Sequence, residues 1–308
     1  LIASAPGKLV LSGAYVVLDG APAIVTAVDR RATADASRRA DFLSPELRAA
    51  FGDGAPFVDS MPMRQGGRKL GLGSSAAVLV AALGARSLAL GRSLDEPERR
   101  RIAEEAYQAH RLAQGGGSGI DIAAATHGGT LLCLVAPPQV PRWERLHLPE
   151  ALHLEAWICP ESASTPALLE PIRSLRRDAP AHYNALTGPA FEGALAVERA
   201  LRAGDAGQLL DGLLLQAEAM QALGEATGVP IFPPYLRALF ERRPAGAVVA
   251  QSGAGGGDIA LYWGREPSPA PWREEARGLG LELLPLSFEA EGLRAEAAGA
   301  GLIHGSGA

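Results

Sequence analysis

An α+β fold with two lobes is predicted for this 308-residue chain. Three observations lead there. Strand-like apolar runs gather near both ends of the sequence, a long helical tract fills residues 163 to 240, and the two kinds of element do not alternate regularly. A doubly wound parallel sheet would require that alternation. The Pro-rich segment APPQVP, residues 136 to 141, is the seam, and the lobes are drawn as 1–155 and 156–308.

The first forty residues read as β structure. KLVLS, AYVVL and AIVTAV are apolar runs, with a turn signal at Asp19-Gly20. Residues 41 to 68 carry scattered Pro, Gly, Asp and Arg and read as a long surface excursion, of the kind that often serves as a lid. A helix is predicted from Ser75 to Leu90. Ser93 with Glu96 forms a capping-box signature for the next one, with Pro97 in its first turn and Ile102, Ala106, Ala109 and Ala113 as the inward stripe. His110 and Gln114 lie beside that stripe, and glycines 115 to 117 end the helix. TLLCLV is a strand, and LEAWIC another. Helical material is then interrupted near Pro180, Gly204 and Gly228, and AGAVVA, DIALYW and LELLPL are late strands. The tail from Ala295 is rich in Gly and Ala and reads as loose.

Composition narrows the function. An apolar fraction of 47% with 20% charged residues fits a globular protein with a real core. A net charge of −5 argues against a general nucleic-acid or membrane-surface binder. Cys133 and Cys159 lie in apolar runs and read as buried hydrophobes, without zinc-type spacing. No apolar run reaches membrane-span length and no signal segment opens the given sequence, so a reduced cytoplasmic setting is expected. The protein is expected to be a monomer or homodimer.

Three small-residue clusters stand out: GLGSSAA at 71 to 77, GGGSGID at 115 to 121 and QSGAGGGD at 251 to 258. Small residues ahead of a helix let backbone N–H groups approach an anion, although serine also caps ordinary helices. The Walker A string GxxxxGK[ST] is absent. Gly71, Gly73 and Ala76 match GxGxxG/A formally, but the preceding MPMRQGGRKL is not the buried strand which that fingerprint requires. The chain has only two lysines, Lys8 in APGK and Lys69 just before Gly71, and each suits a point charge beside phosphate.

APGKLVLSGAYVVLDG, GLGSSAA and SGAGGGD, in that order, resemble the motifs of the GHMP kinase superfamily. The resemblance implies a two-lobed α+β GHMP kinase fold. It places ATP phosphates on Gly71, Leu72, Gly73, Ser74, Ser75 and Ala76, and Mg²⁺ at the hydroxyl of Ser74 or Ser75. Lys8 and Asp121 are the catalytic candidates. Helix capping is the alternative for Asp121. AHRLAQGGGSGIDIAAATHGG, with ASTPALL at 163 to 169, is similar to the phosphomevalonate kinases. At the helix position where mevalonate kinases and galactokinases commonly carry a metal-binding glutamate, this chain has His110.

The resemblance therefore implies transfer of the ATP γ-phosphoryl group to a small phosphorylated acceptor, 5-phosphomevalonate. The alternatives are a mevalonate or sugar kinase, an ATP-dependent mevalonate-phosphate decarboxylase, or a non-catalytic nucleotide-binding protein on the same scaffold. Candidate acceptor contacts are His110, Ser118, Gly119, Ser164, Thr165, Ser252, Gly253, Ala254 and Gly255, with Ser162 beside them. The alternatives are helix packing for His110, simple capping for Ser162, Ser164 and Thr165, and a tight turn for the glycines of the third cluster. Arg176 and Arg177 can meet an anionic substrate, and the Arg clusters at 99 to 101 and 242 to 243 read as solvated faces.

Overall fold

A computed structural model describes residues 1–162 and 165–297, with the side chains of 165–167 outside that description. The first sheet is antiparallel. β1 (Ile2–Ser12) pairs with β2 (Ala23–Arg39), and β6 (Thr130–Leu134) and β7 (Arg142–Leu146) continue from β2. β3 (Pro56–Asp59) also pairs with β2, and β12 (Arg294–Glu296) closes the other side of β1. The second sheet has the order β11 (Glu282–Leu284), β8 (His153–Ile158), β10 (Ile259–Gly264), β9 (Val248–Gln251). It too is antiparallel.

β1 is buried along nearly its whole length, which explains why its apolar residues run on instead of alternating. Its ladder with β2 slips between Pro6 and Gly7. Proline cannot donate to a ladder, so an irregularity here is natural, and such irregularities re-aim the side chains that follow. The next side chain is Lys8. On the first sheet lie α2 (Ser74–Ala89) and α4 (Ile120–His127), with α3 (Glu96–Gln114) packed against both. The second half adds α5 (Thr165–Asp178), α6 (Pro180–Ala203), α7 (Ala206–Thr227) and α8 (Pro234–Glu241). The breaks at Pro180, Gly204 and Gly228 fall where the sequence places them.

Several expectations are corrected. AYVVL is not a strand: Val16–Asp19 is a 3-10 turn. Ser12 already pairs with Ile24, so residues 13 to 22 must reverse the chain. Residues 41 to 68 are not an irregular excursion. They contain α1 (Pro45–Phe51), β3 and the hairpin of β4 (Arg64–Gln65) and β5 (Arg68–Lys69). Leu47 and Met63 are fully buried there. Ser93 is not the cap of α3. Asp95 is, accepting from Glu98 N–H at 3.1 Å, while the Ser93 hydroxyl donates to Asp95. A cap at Ser93 would put Pro97 at the fifth position, where its missing N–H would leave the Ser93 carbonyl without its helical donor. Between β10 and β11 stands an unforeseen helix, α9 (Ala270–Gly278). Ala295 and Glu296 are not loose: they pair with Ala3 and Ile2.

Candidate active site

Lys8 is half-buried and reaches along the glycine-rich bend before α2. Its backbone N–H donates to Leu72 O at 2.9 Å, tying β1 to the bend. Gly73 is left-handed, φ 69°, and a Cβ there would stand 2.9 Å from Lys8 Cε. Nothing larger than glycine fits without moving the lysine. Leu72 and Ala76 are 1% exposed, so their side chains belong to the core and only their backbone faces the bend. No side chain caps α2. Its first N–H groups, and the positive end of a 16-residue helix, can therefore receive an anion.

The second cluster approaches from α3 and α4. Gly119, left-handed at φ 74°, starts α4 without a side-chain cap, and a Cβ there would meet the Tyr107 ring at 2.6 Å. Asp121 lies in the first turn of α4 and accepts from Ile122 N–H at 2.9 Å. Its other oxygen is 3.6 Å from His110 Nε2, which is 3.5 Å from the Ser75 hydroxyl. His110 is 5% exposed and lies within 3.6 Å of a side chain from each of the two bends. Ser118 is half-buried in the loop before α4. The Gln114 amide donates to Glu46, a buried carboxylate on α1.

The third cluster joins β9 to β10. The Ser252 hydroxyl accepts from Val10 N–H at 3.1 Å and donates to Val10 O at 3.2 Å, so it is engaged with β1. Tyr15 donates its hydroxyl to Ala254 O at 2.5 Å. A Cβ on Gly255 would meet Ile231 O at 2.3 Å, which makes that glycine a packing requirement, whereas Gly253 has open space apart from Val10 at 3.9 Å. Asp258 ends the cluster and lies against Gly71: a Cβ on Gly71 would stand 2.5 Å from that of Asp258.

The three bends thus meet around one ammonium group. Burial holds Lys8 below the ordinary lysine range, and the carboxylates of Asp121 and then Asp258 oppose that shift. Lys69 is exposed on β5 and Ser162 is exposed after β8. Ser164 lies outside the described residues, and Thr165 begins α5 with its side chain outside them. Arg176 is bound to Asp19 at 2.6 Å, an aspartate that also accepts from the Tyr183 hydroxyl, and Arg177 pairs with Asp178. Both cysteine thiols are buried and pushed up to about 12 by that burial.

Sequence reading missed Asp258 and Arg68. The aspartate stands at the end of the quoted SGAGGGD, but only the β9–β10 turn reveals that it reaches Gly71. Arg68 donates to Cys159 O at 2.7 Å, Pro160 O at 2.9 Å and Glu161 O, and no local pattern marks such a clamp.

Residues 59–129 match the GHMP kinases N terminal domain. That segment of the chain carries α2, α3 and α4 with the first two glycine-rich bends. The chain is 28% identical to the phosphomevalonate kinase of Streptomyces sp. (strain CL190), over 85% of this chain and 89% of that one. It is 27% identical to the mevalonate kinase of Archaeoglobus fulgidus, over 87% and 94%. Its fold superposes on that of Streptococcus pneumoniae phosphomevalonate kinase in complex with phosphomevalonate and AMPPNP, with TM-score 0.72 and 19% identity over 94% and 99% of the two chains. The chain is thus similar over most of its length to GHMP-family kinases that act as phosphomevalonate and mevalonate kinases.

Among the described residues no helix is long and apolar enough to cross a membrane.

Proposed function

We infer that the protein transfers the γ-phosphoryl group of ATP to 5-phosphomevalonate, giving 5-diphosphomevalonate and ADP. One observation carries the reading: Lys8 lies between the uncapped start of α2 and the carboxylates of Asp121 and Asp258, where three bends from distant parts of the chain meet. The relatedness to a phosphomevalonate kinase over most of both chains supports it.

The residues present suit the nucleotide. Left-handed Gly71 and Gly73 and the open N–H groups of Ser74, Ser75 and Ala76 form a cradle for phosphate oxygens. Among the described residues no three acidic, histidine or cysteine side chains gather into a metal cage. A magnesium ion held chiefly by phosphate and water needs no such cage, and a Ser74 or Ser75 hydroxyl supplies the oxygen donor it prefers. When bound, Mg²⁺ would neutralise charge on the transferring group.

Lys8 neutralises the charge that spreads over the transferring oxygens. Asp121, anchored at the head of α4 and steered by His110, orients the acceptor. A phosphomonoester is already ionised, with a second pKa of about 6, so its oxygen attacks without a strong base. An oxygen–phosphorus bond forms as the bond to the β-phosphate oxygen breaks, and ADP leaves. His110 is buried against Asp121 and gives this site an imidazole where an alcohol-phosphorylating relative commonly has a metal-binding carboxylate.

The deciding experiment is an ADP-release panel with mevalonate, 5-phosphomevalonate, 5-diphosphomevalonate and common sugars, with carbon dioxide followed alongside. Turnover of 5-phosphomevalonate alone, without carbon dioxide, is the expected result. Turnover of mevalonate alone would assign the chain to the other kinase, carbon dioxide would make it a decarboxylase, and ATP binding with no acceptor would leave a binding protein.

A further inference from the structure

Two carboxylates, one beside each sheet, favour the charged form of the half-buried Lys8. Asp121 belongs to α4 on the first sheet, and Asp258 to the β9–β10 turn of the second. Only the first is accounted for by the reaction above. A negative charge in a cleft that admits two polyanions raises the cost of binding them. Packing alone would be served at least as well by a neutral side chain.

The backbone of Asp258 is left-handed, φ 58°, a conformation that few residues other than glycine, asparagine and aspartate adopt readily. It is fixed there by two hydrogen bonds: its N–H donates to Glu161 O at 3.0 Å and its carbonyl accepts from Cys159 N–H at 2.8 Å. Arg68 grips the same 159–161 segment from the hairpin that leads into the first bend. The Asp258 side chain then rests on Gly71, where a Cβ would lie 2.9 Å from its Oδ2. Two residues on, Gly73 rests on the stem of Lys8.

We propose that Asp258 is a positioning residue that holds the Lys8 ammonium against the Gly71–Gly73 bend, so that the catalytic lysine is set by a contact spanning both sheets. The effect acts through Lys8 and not on substrate directly. This inference rests on the proposed function. Its consequence is that turnover, rather than nucleotide affinity, depends on Asp258.

The test is Asp258→Asn, which keeps size and tolerates the left-handed backbone. With the acceptor that the wild type uses, kcat is expected to fall at least about tenfold while KM for ATP stays within about threefold. ATP affinity by calorimetry and the melting temperature should be unchanged. In a Lys8→Ala background the same substitution should change kcat by less than about twofold, because residues acting through one group are not additive. Wild-type kcat in Asp258→Asn, or an undiminished loss in the Lys8→Ala background, would overturn the proposal. So would a parallel loss of ATP affinity and melting temperature. A wild type that releases ADP with no acceptor would instead remove the proposed function, and this inference with it.

Discussion

α2 and α4 begin differently from α3 and α7. The latter two start at Asp95 and Asp205, whose carboxylates accept from backbone N–H groups of the first turn. α2 and α4 start at left-handed Gly73 and Gly119, with no side-chain cap. A missing cap costs about 1 kcal/mol, and a short helix cannot recover that from length. α6, α8 and α9 also start without a side-chain cap, at Ala179, Pro233 and Pro269; what sets α2 and α4 apart is a left-handed glycine at the cap, which leaves the first N–H groups beside Lys8 and Asp121 open to a ligand.

That contrast can be broken most sharply at Lys8. Lys8→Ala should lower kcat by about a thousandfold, the loss typical of removing a preorganised charge from a transition state. Asp121→Asn should cost less, about tenfold to a hundredfold, because a phosphomonoester acceptor needs placement more than deprotonation. ADP-release kinetics check both, and the reverse ordering would undo the assignment of roles.

The far end of α4 sharpens the comparison through stability. His127 is 3% exposed, and burial lowers its pKa from 6.5 to about 4 against the opposing charge of Glu96. Between those values the unfolded chain takes up a proton that the folded chain refuses. Stability is therefore full above about pH 6.5 and falls as the pH drops toward 4, by on the order of 3 kcal/mol. Melting curves from pH 7.5 to 4.5 should slope less steeply for His127→Asn than for wild type. The Glu98 carboxylate, held down to about 2 chiefly by Arg101, contributes stability that is full above its ordinary 4.5 and is lost as the pH falls from there toward 2, so it overlaps only the acid end of this range.

The smallest effect belongs to the closed helix ends. Asp95→Ala and Asp205→Ala should each lose about 1 kcal/mol of stability in denaturant unfolding, with kcat unchanged. A change in kcat there would erase the distinction between the two kinds of helix start.

What could be read in the sequence follows the range over which each signal acts. α6 and α7 were legible because Pro180, Gly204 and Gly228 mark their ends within the helices' own sequence. The bends at 73 and 119 were legible for the same reason. α1 and β3 were not, since one buried Leu47 and a four-residue strand make no period. β12 escaped because its place depends on backbone pairing with β1, which leaves little mark on side chains. Lys8 and Asp121 could be singled out by local motifs. The meeting of Lys8 with Asp258, 250 positions apart by their numbers, depends on folding of both sheets.

The pairing of Ile2 with Glu296 has a bearing on synthesis. During translation, residues 153 to 284 can assemble the second sheet while one flank of the strand bearing Lys8 still waits for its neighbour. A ribosome stalled before that neighbour emerges would release a chain in which the strand bearing Lys8 offers an unpaired edge to other molecules, a hazard for aggregation.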